Sequence, residues 1–135
     1  MSKIVKTGVS LPASLLSELD SIVNELNLPS RSYALRRAVM DYISEREWIK
    51  GEKGVLAGAI SVLYDHTTHE ISDRLIEVQH KFLDIIKSTV HVHVDEKRCL
   101  EVILVQGKVK RIKELAKFLE AQKGLIFIKY TLAKI

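Results

Sequence analysis

Cysteine occurs once in these 135 residues, at Cys99. One thiol cannot close an intrachain disulfide, so a reducing compartment is expected, with the thiol free to bind metal or react. Long apolar runs are also missing. The longest, VLAGAISVLY at 55–64, is far too short to cross a bilayer. The opening MSKIVKTGVS lacks the apolar core of a secretory signal. A cytoplasmic protein without a membrane role is the expectation. Catalytic signatures are lacking too: there is no H-E-x-x-H, no G-x-S-x-G and no phosphate-binding glycine loop. An enzyme is therefore not expected. Charge of one sign is only in modest excess. A net charge of +4 and a pI near 9.2 permit nucleic-acid binding without demanding it.

What is present is the composition of a soluble globular protein, 47% hydrophobic and 28% charged. The length suits one ordinary domain or two small ones, and two small ones would lean on oligomerisation for stability. KIVKTGVSL (3–11) alternates: Val5, Thr7, Val9 and Leu11 share one face, and Lys6, Gly8 and Ser10 the other. That is the period of a strand. Pro12 suits a helix's first turn, and Leu15, Leu16, Leu19, Ile22, Val23 and Leu26 follow at helical spacing. Pro29 breaks the pattern and Ser30 is an N-cap candidate for a second helix from Arg31 to about Trp48. KGEKG (50–54) reads as a flexible joint, dividing residues 1–50 from 51–135.

Beyond the joint, the expected order is β-α-β-β-α-β. VLAGAISVLYDH is a strand, 70–88 a helix, STVHVHV and CLEVILVQG a hairpin closed by DEKR, 107–123 a helix with Gly124 as its C-cap candidate, and LIFIKYTLAKI a last strand. This is the ferredoxin-like split unit, an antiparallel sheet with helices on one face.

A lone strand cannot satisfy its own ladder groups, so residues 3–11 are expected to pair with the same strand of a second chain, over four helices. Ribbons of that kind enter the DNA major groove. Lys6, Gly8 and Ser10 would face the bases, and the free N–H groups of Arg31 and Ser32 at a helix start would hold a phosphate. Residues 1–53 carry eight Lys/Arg against seven Asp/Glu, so the bland alternative is a dimerisation module with no DNA role.

His91 and His93 lie two apart on a strand, so both point to one face about 7 Å apart. Val90, Val92 and Val94 are then expected on the core face. The DEKR turn folds Cys99 back beside the histidines. His80, on the preceding helix, is a fourth candidate; His66 and His69 form a looser pair. Singly, such residues are most often a solvated strand face or a small buried hydrophobe. Together they suit zinc in a tetrahedron, or nickel or copper in a square plane, and four protein ligands make a structural or regulatory site rather than a catalytic one.

RSYALR (31–36) resembles the start of the second helix in ribbon-helix-helix regulators, and QH (79–80), HVHV (91–94) and CLEV (99–102) resemble the metal signature of the nickel-responsive repressor family, NikR. The resemblance implies an α+β protein: a ribbon-helix-helix domain (1–50) for DNA binding and dimerisation, then an ACT-like, ferredoxin-like domain (51–135) for metal binding and tetramerisation. It implies a homotetramer, a dimer of dimers, that binds double-stranded operator DNA. It implies one Ni(II) per chain in a square plane, held by His91, His93 and Cys99 with His80 from a neighbouring subunit. Gln79 and Glu101 would orient these ligands, and Tyr64 would help cover them.

The chain also departs from the family. Gly8 has no side chain to read a base. Tyr33 and Arg37 stand where two acids usually hold an extra cation, so that site is expected to be absent. Phe127 and Ile128 replace a common His-Gly pair. The function implied is a nickel-responsive repressor of nickel uptake genes. Two other readings stand beside it: a ribbon-helix-helix regulator or antitoxin whose ACT-like domain senses a small metabolite such as an amino acid, and a metalloenzyme with one exchangeable ligand position.

Overall fold

The structure, a computed structural model, describes residues 3–68 and 70–135. It divides into two compact units, Met1–Tyr42 and Ile43–Ile135.

In the first unit, α1 (Ala13–Glu25) follows Pro12, whose φ of −56° suits a helix start. It stops at Asn27, which takes a left-handed φ of 50°. The Asn27 N–H donates to the Asn24 carbonyl, and the Leu28 N–H to the Val23 carbonyl at 2.9 Å. This closing motif satisfies the last carbonyls, and Asn tolerates the left-handed residue it needs. Pro29 follows at once. Ser30 then caps α2 (Arg31–Arg46), its Oγ accepting from the Tyr33 N–H at 3.1 Å. The expected strand over 3–11 forms no ladder: residues 3–12 carry no regular secondary structure and lie exposed or half-exposed. A strand exists through its partner, and residues 3–11 pair with none among the described residues. Among the described residues of this unit only Ala34 is buried, while Val9, Ile22, Leu26 and Val39 are each more than half exposed.

The second unit is an antiparallel sheet ordered β2-β3-β1-β4, built from β1 (Val55–Asp65), β2 (Ile86–His93), β3 (Arg98–Lys108) and β4 (Leu125–Lys134), with α3 (Ile71–Lys81) and α4 (Val109–Glu120). The core gathers one face of the sheet with the apolar stripes of both helices: Leu56, Ile60, Ile103, Ile71, Val78, Ile112 and Leu115 are buried. Gly58, at φ +155°, lets β1 and β4 approach, because a Cβ there would lie 1.9 Å from the Thr131 carbonyl oxygen. Gly124, at φ +90°, sits in the turn into β4, whereas Ala121 caps α4.

Three expectations change. α3 ends at Lys81, not near Ser88. Phe82 and Ile85 are buried as a helix would require, but the β-branched run that follows is captured by β3, beginning with Gln106 N–H to Ile85 O at 2.9 Å. Val90, Val92 and Val94 are 51%, 46% and 50% exposed, so they line the open face of the sheet and not the core. Finally, the units divide before KGEKG. Trp48 stacks on Tyr130 at 5.3 Å, and Glu45 Oε1 accepts the Tyr130 N–H at 2.7 Å, so residues 45–48 belong to the second unit's packing. No helix among the described residues is long and apolar enough to cross a membrane.

Candidate metal centre

Strand register builds the site. His91 lies opposite Glu101 and His93 opposite Cys99 across β2 and β3, while Tyr64 lies opposite Cys99 across β1 and β3. Directly opposed residues share a sheet face. Cys99 and Glu101 are 1% and 2% exposed on the helix-covered face, so both histidines point to that side from the edge strand, remaining exposed themselves.

One donor atom from each of His91, His93 and Cys99 lies within 4.8 Å of the other two. Cys99 Sγ stands 3.3 Å from His93 Nδ1. Donors bound at about 2.0–2.3 Å would sit roughly 3 Å apart when adjacent and about 4.4 Å apart when opposed, so this trio fits a borderline divalent ion with little movement.

Behind the trio lies a buried polar chain. Gln79, from α3, donates through Nε2 to Glu101 Oε1 at 2.8 Å, and the Tyr64 hydroxyl donates to Glu101 Oε2 at 3.5 Å. Tyr64 also meets the His91 ring edge-on at 6.3 Å. Burial pushes the Glu101 carboxyl up, against the Gln79 donor, the His91 charge and the Tyr64 hydroxyl, which favour the anion. Burial likewise pushes the Cys99 thiol up, opposed by a hydrogen bond from Tyr64 and reinforced by Glu101 and Asp95. Burial, then the nearby Glu101 and Cys99, hold the Tyr64 phenol far above its ordinary range.

His80 is exposed on α3 and is not among the grouped donors. His66, set aside by sequence reasoning, lies with its ring 6.4 Å from that of His93; its Nε2 contacts the Glu96 carbonyl oxygen at 2.5 Å. It follows the β1 strand directly, and that adjacency to the hairpin turn is visible only once β1 is paired with β3. His69 lies outside the described residues.

In the first unit Lys6, Gly8 and Ser10 are exposed. The Arg31 guanidinium is held by the Asp20 carboxylate at 2.9 and 2.7 Å, a contact that sequence reasoning missed. Among the described residues the N–H groups of Arg31 and Ser32 meet no acceptor, since the Ser30 cap takes that of Tyr33.

Residues 57–133 match the family model described as NikR C terminal nickel binding domain, and residues 5–46 match that of ribbon-helix-helix protein, copG family. The chain is 43% identical to a protein of Methanocaldococcus jannaschii, over 96% of this chain and 92% of that protein. It is 48% identical to one of Dictyoglomus thermophilum, over 85% and 84%, and 44% identical to one of Pyrococcus abyssi, over 90% and 88%. All three bear the name "Putative nickel-responsive regulator".

Proposed function

The chain belongs to the family of nickel-responsive regulators with a NikR-type nickel-binding domain, and from that premise we propose that it represses nickel uptake genes in the cytoplasm through a Ni(II) site built on Cys99. It is an α+β transcriptional regulator that binds DNA and responds to nickel, and not an enzyme. Family membership over both units favours this over a metabolite sensor.

One observation carries the assignment of the site: the donors of His91, His93 and Cys99 already stand within 4.8 Å. These three would hold one Ni(II) per chain, with His80 of a second copy as the fourth ligand. Support for the second copy comes from His80 itself, a candidate ligand exposed on α3 and apart from its own chain's trio. When bound, Ni(II) would supply an electron-pair acceptor that these imidazole and thiolate donors hold jointly, linking the two copies that contribute them. Glu101 accepts from Gln79 and Tyr64, which would hold its carboxylate beside His91, its cross-strand neighbour, and so orient that ligand. The Cys99 thiol, held protonated by burial, must release its proton to bind, so nickel affinity falls as pH falls.

The exposed stripe of the first unit supports a ribbon dimer formed through residues 3–11, and the apolar open face of the sheet supports pairing of dimers into a homotetramer. In the ribbon, Lys6, Gly8 and Ser10 face double-stranded operator DNA, and the Arg31 and Ser32 N–H groups take a phosphate. In this division of labour the first unit binds DNA and dimerises, and the second binds metal and tetramerises. Metal acts by binding the DNA-competent population more tightly than the rest.

The test is DNA binding to the protein's own promoter with and without Ni(II). Cys99→Ala should lose the nickel-dependent gain in affinity and keep the oligomer seen by light scattering. An undiminished nickel response in that variant would sink the assignment.

A further inference from the structure

The protein's excess of positive charge is densest near the end of the second unit. Residues 3–42 carry five Lys/Arg and four Asp/Glu, whereas residues 102–135 carry eight and two. Four of these eight cations lie on α4. Ile112, Leu115, Ala116 and Leu119 turn into the core, which leaves Lys110, Lys113 and Lys117, spaced three and four apart, along one outer face. Lys108 stands at its N-cap position.

The arrangement is unfavourable within the chain. The first turn of α4 has no acidic residue, so its cations face the positive end of the helix dipole. Lysines three and four apart also repel one another. Among the described residues none of Lys108, Lys110, Lys113 and Lys117 makes an ion pair. Arg111, on the same helix, is the contrast: Asp84 at 2.9 Å and Glu114 at 2.8 Å neutralise it. Glu114 and Glu120 lie at helical spacing beside this row, but their ion pairs are with Arg111 and Arg46, so lysines without ion pairs of their own are left to suit an external polyanion whose charges are also in a row.

We infer that the α4 lysine row is a second, sequence-independent DNA contact, in which Lys110, Lys113 and Lys117 pair with backbone phosphates. The inference rests on the proposed function, since it takes the regulator's own DNA as the polyanion. The nearly neutral first unit makes such a contact useful, because phosphate neutralisation supplies most of the salt-dependent affinity for DNA. Lysines on a helix face offer point charges without the bidentate geometry that reads bases, so the contact adds affinity and no sequence preference.

The experiment compares the full chain with the Lys110→Gln, Lys113→Gln, Lys117→Gln triple variant, both with saturating Ni(II), on promoter DNA and on a mixed-sequence duplex over a salt series. The variant should bind both DNAs at least about tenfold more weakly at low salt, with a log–log salt slope shallower by about one per lysine in contact. Its melting temperature should not fall, since repulsion is removed, and its nickel binding should be unchanged. A control variant with the same charge loss elsewhere, Arg74→Gln, Lys87→Gln and Lys123→Gln, should keep the native slope. An unchanged slope in the triple variant, or an equal loss in the control, overturns the inference while leaving the nickel response of the native chain intact. Failure of the native chain to bind its promoter with nickel would overturn both readings together.

Discussion

The two units differ in how much of their structure they complete alone. In Met1–Tyr42 the described residues bury one side chain, Ala34, and the alternating segment 3–11 has no strand to pair with. In Ile43–Ile135 four strands find their partners in the same chain, and a contiguous core runs from Trp48 to Tyr130. A unit that leaves Ile22, Leu26 and Val39 more than half exposed has not buried the surface that offsets its ordering entropy. The second unit repeats the lesson at smaller scale: its fold is complete, but the donor cluster has three members, with His80 exposed elsewhere. The dimer and the shared site proposed above would complete both places.

The comparison can be broken most forcefully by core substitutions. Ile60→Ala, at a fully buried position of the second unit, should cost about 2–5 kcal/mol in denaturant unfolding at a fixed protein concentration. Ile22→Ala, 53% exposed in the single chain, should cost little by that count, yet its effect should appear as weakened dimerisation and grow on dilution. An Ile22→Ala variant with no concentration dependence would contradict the ribbon dimer. A smaller effect is expected behind the metal ligands. Gln79→Ala removes the 2.8 Å donor to Glu101 and should weaken nickel binding by about 10–100-fold, with oligomer and fold retained. An unaltered affinity would mean that Glu101 needs no orienting partner.

The smallest effect is local to the hairpin turn. The Arg98 side chain, with the Arg98 and Lys97 amides, holds the Asp95 carboxyl at about 2, against an ordinary 3.8. A depressed carboxyl contributes stability that is present above the ordinary value and lost as pH falls through about 2. The turn that returns Cys99 to His93 should therefore survive mild acid, so loss of nickel above pH 4 should come from the ligands and the Glu101 beside them rather than from the turn. An NMR titration of Asp95 centred near 3.8 would contradict this.

Much of this was legible in residue order. Helices and strands announced themselves by period, Pro12, Pro29 and Ser30 marked real boundaries, and β-α-β-β-α-β was the order found. What failed had physical causes. The alternation of 90–94 defines two faces but not which one a helix covers; hydropathy favoured the valines, while the register with buried Cys99 and Glu101 put the histidines there instead. Phe82 and Ile85 fit a helix stripe and a strand approach equally well, so the end of α3 depended on long-range capture by β3. Trp48 and Glu45 joined the second unit through Tyr130, far along the chain. The strand at 3–11 and the role of His80 were readable as candidates, but among the described residues the strand pairs with nothing and His80 stands outside the donor group.

The central claim is that Cys99 and its two histidines hold nickel. An absorption titration of metal-free full-length protein with Ni(II) tests it most directly, read for a thiolate-to-nickel charge-transfer band in the native chain and in Cys99→Ala. The account predicts a band that saturates at one nickel per chain and vanishes in the variant. A native chain that binds nickel without such a band, or a variant that keeps it, would contradict it.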